Sequence, residues 1–102
     1  MPENDRIQWK LRSASECEAE IADCDEILRQ KPNNPYACYD RGIANYELGR
    51  YEEAIADFDK TIRLKPDLYT YPLRGMANYL LRRYQKAIAD FDKAIRLVVF
   101  QL

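Results

Sequence analysis

The chain has 102 residues, 47% of them apolar and 32% charged, which is the size and composition of one folded domain rather than a disordered segment. Its net charge of -1 supplies no overall field to attract nucleic acid, and with no histidine it lacks the commonest general base and metal ligand. No run of about 18 apolar residues occurs, so no helical membrane span and no membrane partner are expected.

In chain order, the first segment, MPENDRIQWK, lacks the basic-then-apolar pattern of a signal peptide, which points to the cytoplasm. A first helix is expected from about Glu3 to Leu11, with Ile7 and Leu11 inward. Ser13 with Glu16, and Ser15 with Glu18, are both capping-box patterns, so a second helix is expected from about Ser15 to Gln30. Cys17, Cys24 and Cys38 are odd in number and contain no CxxC pair, which argues against a disulfide framework and a zinc site. They read as free thiols in a helical core in a reducing compartment.

Tyr36 to Leu48 reads as a helix ending at Gly49, a good left-handed cap. Tyr51 to Leu64 follows, with Ala54, Ile55, Phe58, Thr61 and Ile62 at helical spacing, and Lys65-Pro66-Asp67 stops it. Pro72 is tolerated if the next helix begins near Tyr71 with Thr70 as its cap. Arg82 then stands where Gly49 stood in the earlier turn, so a distorted turn is expected. The last helix runs into VVFQL.

An internal repeat organises these elements. RGIANYELGRYEEAIADFDKTIRL at 41–64 and RGMANYLLRRYQKAIADFDKAIRL at 74–97 lie 33 residues apart and are identical at 18 of 24 positions. EIADCDEILRQKP at 20–32 aligns with AIADFDKTIRLKP at 54–66 at an offset of 34. The division expected is a degenerate first repeat at 1–34, a second at 35–67 and a third at 68–102. Charge is uneven among them, at -3, -2 and +4. A period of this length marks a solenoid of helical hairpins.

With Gly42, Ala54, Phe58 and Pro66 in one copy, and Gly75, Ala87 and Phe91 in the next, the chain resembles the tetratricopeptide repeat family over roughly residues 15–98. It departs at the leucine slot, which holds Arg41 and Arg74, and at the tyrosine slot, which holds Asn45 and Asn78. The aromatic slot holds Cys38 and Tyr71, and Val99 replaces the last proline. The resemblance implies an all-α fold: a short right-handed superhelical solenoid of about three hairpins, without a C-terminal capping helix. Physically, Gly42 and Gly75 suit a close helix crossing, Ala54 and Ala87 serve it from the facing helix, and Phe58 and Phe91 fill the space between hairpins. Asn45 and Asn78 read as satisfied structural groups that recur by duplication.

The function expected is a protein-interaction scaffold. The resemblance implies a peptide or helix held in a concave groove lined by the first helix of each hairpin. That face presents Tyr39, Ile43, Tyr46 and Glu47, then Leu73, Met76, Tyr79 and Leu80, and tyrosine and methionine are interface-prone. A chaperone C-terminal tail is not expected as ligand, because the matching clamp places hold Asp5, Trp9, Asp40, Tyr69 and Leu73, which offer no cation to a carboxylate. The alternative is a self-assembling unit that oligomerises through its C-terminal end, where Ile88, Phe91, Ile95, Val98 and Leu102 form an apolar stripe. A two-fold dimer is expected over a head-to-tail stack on frequency, although the charges favour the stack. A following helix of a longer array would be the other cover.

No enzyme, cofactor or metal is expected, since no nucleophile–base set, phosphate loop or ligand cluster is legible. Asp57 and Asp59, like Asp90 and Asp92, lie two apart and point to different helix faces. They read as solvated charge, with Asp59 reaching Arg63 and Asp92 reaching Arg96. Arg82, Arg83, Lys86 and Lys93 read as a solvated basic face rather than a nucleic-acid site.

Overall fold

A computed structural model describes residues 12–101. Five helices follow one another: α1 (Ala14–Gln30), α2 (Pro35–Glu47), α3 (Tyr51–Leu64), α4 (Thr70–Leu80) and α5 (Tyr84–Gln101). There is no strand among the described residues. Each helix packs on its neighbours in the chain, so α2–α3 and α4–α5 form successive hairpins stacked on α1. This is the tetratricopeptide-like solenoid that the repeat predicts. The helix expected over Glu3–Leu11, and Leu102, lie outside the described residues.

The starts of the helices follow from side chains. Ser13 caps α1: its hydroxyl accepts from the Glu16 N–H, while Glu16 Oε1 accepts from the Ser13 N–H at 2.9 Å. Of the two capping boxes in the sequence, this is the one used, so α1 begins one residue earlier than expected. Asn34 Oδ1 caps α2 through the Tyr36 and Ala37 N–H groups, with Pro35 at the first turn, where its missing N–H costs nothing. At α4 the expectation fails. Thr70 is not the cap but the first helical residue, fully buried, and Asp67 Oδ1 accepts from Tyr69 N, Thr70 N and Thr70 Oγ1 at 2.8–3.1 Å. The capping carboxylate lies three residues upstream and takes the N–H groups of Tyr69 and Thr70 at the mouth of the helix.

The second turn also differs from expectation. Arg82 adopts φ 63°, close to the 78° of Gly49. Both turns close with the same bonds: Gly49 N to Tyr46 O and Arg50 N to Asn45 O in one, Arg82 N to Tyr79 O and Arg83 N to Asn78 O in the other, all at 2.8–3.0 Å. The turn is therefore preserved rather than distorted, and Arg82 carries the strain of a left-handed conformation.

The core is small-residue and aromatic. Ala54, Phe58 and Ala87 are buried, as are all three cysteines, which are free. A Cβ on Gly42 would stand 2.6 Å from Phe58 Cε1 and 3.2 Å from Asp57 Cβ, and one on Gly75 would stand 2.9 Å from Phe91 Cε1. The glycines thus allow each hairpin to close over its aromatic ring.

Candidate functional site

The first helix of each hairpin, α2 and α4, carries the residues expected to line a groove. On α4 the spacing of Tyr69, Leu73, Met76 and Leu80 sets one stripe, opposite the buried Gly75 and Asn78. Met76, Tyr79 and Leu80 are exposed and Leu73 is half-buried. On α2, Tyr39, Ile43, Tyr46 and Glu47 are all half-buried. The ring of Tyr39 packs on Phe58 with centroids 6.3 Å apart, and Tyr46 meets Tyr51 edge to face at 5.5 Å. Burial raises the pKa of both tyrosine hydroxyls. Tyr79 repeats the second contact with Tyr84 at 5.6 Å but keeps more than half of its surface open. Glu47 is bound within the fold, accepting from Arg12 Nε at 2.9 Å and from Arg12 Nη2, with Cys17 Sγ at 3.8 Å.

Two exposed tyrosines were not picked out in the sequence as candidates. Tyr36 and Tyr69 are 64% and 65% exposed. With Pro35, Tyr39, Thr61 and Lys65 they line a largely apolar cleft of about 190 Å3 where α2, the end of α3 and the start of α4 meet. Lys65 Nζ lies 5.9 Å over the Tyr36 ring. The available signal was spacing: Tyr36 lies three residues before Tyr39, and Tyr69 four before Leu73.

The expectation that both carboxylate pairs are solvated charge holds for Asp92, which is exposed, and is overturned for the others. Asp57 and Asp90 are buried, and each holds an arginine of its own hairpin. Arg41 donates to Asp57 through Nε at 3.0 Å and Nη2 at 2.7 Å, and Arg74 donates to Asp90 through Nε at 3.1 Å and Nη2 at 2.7 Å. Asn45 and Asn78 add a longer bond to the same carboxylates, each at 3.3 Å. The third guanidinium nitrogen reaches back to the preceding helix. Arg41 Nη1 meets Asp25 on α1, and Arg74 Nη1 meets Asp59 on α3, both at 2.8 Å. Asp59 therefore serves the next hairpin, and no bond to Arg63 forms; Asp92 makes none to Arg96. The hydrogen bonds that Arg41 and Arg74 donate to Asp57 and Asp90 raise the pKa of both arginines, so both stay charged. Arginine in the leucine slot and asparagine in the tyrosine slot are one device, a planar fork bridging two carboxylates. The expectation that both asparagines are fully satisfied fails at Asn78, whose buried amide oxygen has no partner among the described residues because its amide nitrogen alone turns to Asp90.

A second strap repeats with the same period. Arg50 meets Glu18 at 2.6 Å, and Arg83 meets Glu52. Arg83 is thus engaged, while Arg82, Lys86 and Lys93 of the expected basic face are exposed. No group of three or more possible metal ligands occurs among the described residues, and no described helix is long and apolar enough to cross a membrane.

Stacked hairpins with interface-prone side chains along their first helices define a helical-repeat scaffold for protein interaction. Residues 11–71 and 70–97 match two family patterns, both described as tetratricopeptide repeat, and the chain belongs to that family. It is 42% identical over 43 residues to the FK506-binding protein-like protein of Mus musculus, covering 42% of this chain and 12% of the relative. Against FK506-binding protein 59 of Drosophila melanogaster it is 41% identical over 44 residues, covering 43% and 10%. The chain thus spans about a tenth of the length of these relatives. Two solved structures of MamA AMB-1 share the fold, each with a TM-score of 0.76 and 23% identity, covering 80% and 81% of this chain and 49% and 46% of theirs.

Proposed function

We propose that this chain holds a peptide or helix of a partner protein against the stripe formed by α2 and α4, without catalysis and in the cytoplasm. The observation that carries the reading is the row of open apolar and aromatic side chains on those helices, Tyr36, Tyr69, Met76, Tyr79 and Leu80, while the opposite faces are closed by core contacts. A rigid aromatic loses little conformational entropy on binding and offers both an apolar face and a hydroxyl. The cleft of Tyr36, Tyr39 and Tyr69 suits one anchoring side chain of the ligand. Asp40, Tyr69 and Leu73 offer no cation, so a chaperone C-terminal carboxylate is not the ligand.

The test is selection of peptides from a random displayed library on the intact chain, followed by affinity measurement on Tyr69→Ala and Met76→Ala chains. Both side chains are exposed, so thermal midpoints should stay near that of the parent. Affinity should fall roughly tenfold, the loss of a modest hot spot. Equal binding by parent and variants places the site elsewhere.

The second reading is assembly through the C-terminal helix. It is favoured by Ile88, Ile95 and Val98, which are exposed on α5 with Phe91 half-buried beside them. Such a stripe supplies the apolar centre of an interface whichever molecule brings the other half.

A further inference from the structure

The repeat contains its own control for the outer face of α5. Helices α3 and α5 carry nearly the same sequence, but α3 is covered by α4. Where covered, Phe58 is fully buried and Ile55, Asp59 and Ile62 are half-buried. Their counterparts 33 residues later are opened: Ile88 is 58% exposed, Ile95 60%, Asp92 is exposed and Phe91 only half-buried. The difference outlines the footprint of one missing helix. Its charge is specified as well. Asp25 receives Arg41 and Asp59 receives Arg74, while Asp92, next in the series, has no partner among the described residues.

We propose that the outer face of α5 docks an arginine-bearing helix built like α2 and α4. This rests on the reading of α5 as an assembly surface and names what covers it. The arginine of such a helix meets Asp92, and small residues four before it and three after it lie against α5. That pattern is Ala37, Arg41 and Ala44 in α2, and Thr70, Arg74 and Ala77 in α4, where all four small residues are buried. The spacing places the three positions on one helix face, and a bulkier side chain there would hold the helices apart. The neighbouring cations do not forbid the pairing: Lys60 and Arg63 flank Asp59 as Lys93 and Arg96 flank Asp92, and Arg74 docks on Asp59 nonetheless. The second strap does not continue, since Gln85 stands in the place of Glu52. The docking helix therefore needs the arginine that meets Asp92 and no second one at the turn.

A second copy of this chain does not fit. The 34-residue offset aligns Arg41 with Ile7, so the sequence of a copy stacked head to tail offers no arginine at that place. Paired about a two-fold axis, α5 offers Asp92 only Lys93 and Arg96 of the copy, and neither stands between small residues four before and three after as Arg41 and Arg74 do.

The test titrates the intact, isotope-labelled chain with a synthetic peptide of residues 67–83, which holds the capping Asp67, all of α4 and its arginine. Amide shifts are expected to gather at Ile88, Asp92, Ile95 and Val99. Asp92→Asn should weaken binding roughly tenfold. An Arg74→Gln peptide should weaken it as much, and combining the two changes should add little. Because the Asp92 carboxylate has no partner among the described residues, the Asn variant should melt with the parent, and Ile95→Glu supplies a second probe of the same face. Shifts on α2 and α4 instead, absence of binding at the highest soluble peptide concentration, or equal affinity for the Asn variant overturns the proposal. So does a chain that forms a closed dimer over α5, tightened by Asp92→Asn. Tyr69 and Met76 play no part in this titration, so the groove reading stands or falls separately.

Discussion

Cys24 shows how far one buried side chain can tie stability to pH. Its thiol is enclosed by burial and donates to Glu20 Oε2 at 3.6 Å, and burial first, then Glu20, pushes its pKa up to about 12. A thiol with a raised folded pKa contributes its full share of stability below its unfolded value near 9. As pH rises toward 12 the unfolded chain loses the proton while the folded chain must keep it, so stability is lost across that window. Denaturant titrations from pH 8 to 11 should show a decline that Cys24→Ala reduces; an unchanged decline would assign it to other groups. The three cysteines were legible as buried free thiols because short apolar residues in a helical repeat have little else to do. Asp57 and Asp90 were not legible. Burial of a carboxylate depends on a partner 16 residues away, and only the fold brings Arg41 and Arg74 to them.

At the scale of the element, the turns between paired helices carry a measurable strain. Gly49 and Arg82 hold the same left-handed backbone with the same closing bonds, but only arginine has a Cβ to crowd the carbonyl. Arg82→Gly should therefore raise stability by about 1 kcal/mol, read as a higher denaturant midpoint at unchanged slope. No gain would mean that the arginine side chain offsets its own backbone cost. Among the described residues, helix existence and type were readable from periodicity, and the boundaries fell within a residue or two. The start of α4 was misread because Asp67 and Thr70 both have capping chemistry, and choosing between them requires knowing that Thr70 is fully buried. The exposed side chains of the proposed groove were half legible. Helical spacing picked Met76 and Tyr79, whereas Tyr36 and Tyr69 become a site only when the α3–α4 connection folds them together.

For the whole molecule, cohesion between successive units rests on the packing of α2 on α1 and of α4 on α3 and on the arginine bridges. Arg74→Met removes the partner of a buried carboxylate and the link to Asp59 together. It should cost about 2 kcal/mol, less than a wholly buried pair because Arg74 is partly open to water. Asp59→Asn touches only the outer link and should cost a few tenths. Hydrogen exchange on the Arg74→Met chain should rise in α4 and α5 before α1 and α2, since a repeat array loosens locally. Uniform acceleration along the chain would instead mean that the hairpins unfold as one cooperative body.

The two bridges are nearly superimposable in their distances, yet the connections that precede them differ. Four residues join α1 to α2 and five join α3 to α4, and the arginine is the seventh residue of α2 but the fifth of α4. Register between hairpins is thus fixed by a side-chain key rather than by the length of chain between them. A joint keyed in this way leaves its hinge free to vary. Residues could be inserted around Pro32 or Pro66, ahead of the capping Asn34 and Asp67, without shifting how one hairpin seats on the next, and these connections are where the architecture can accept new sequence.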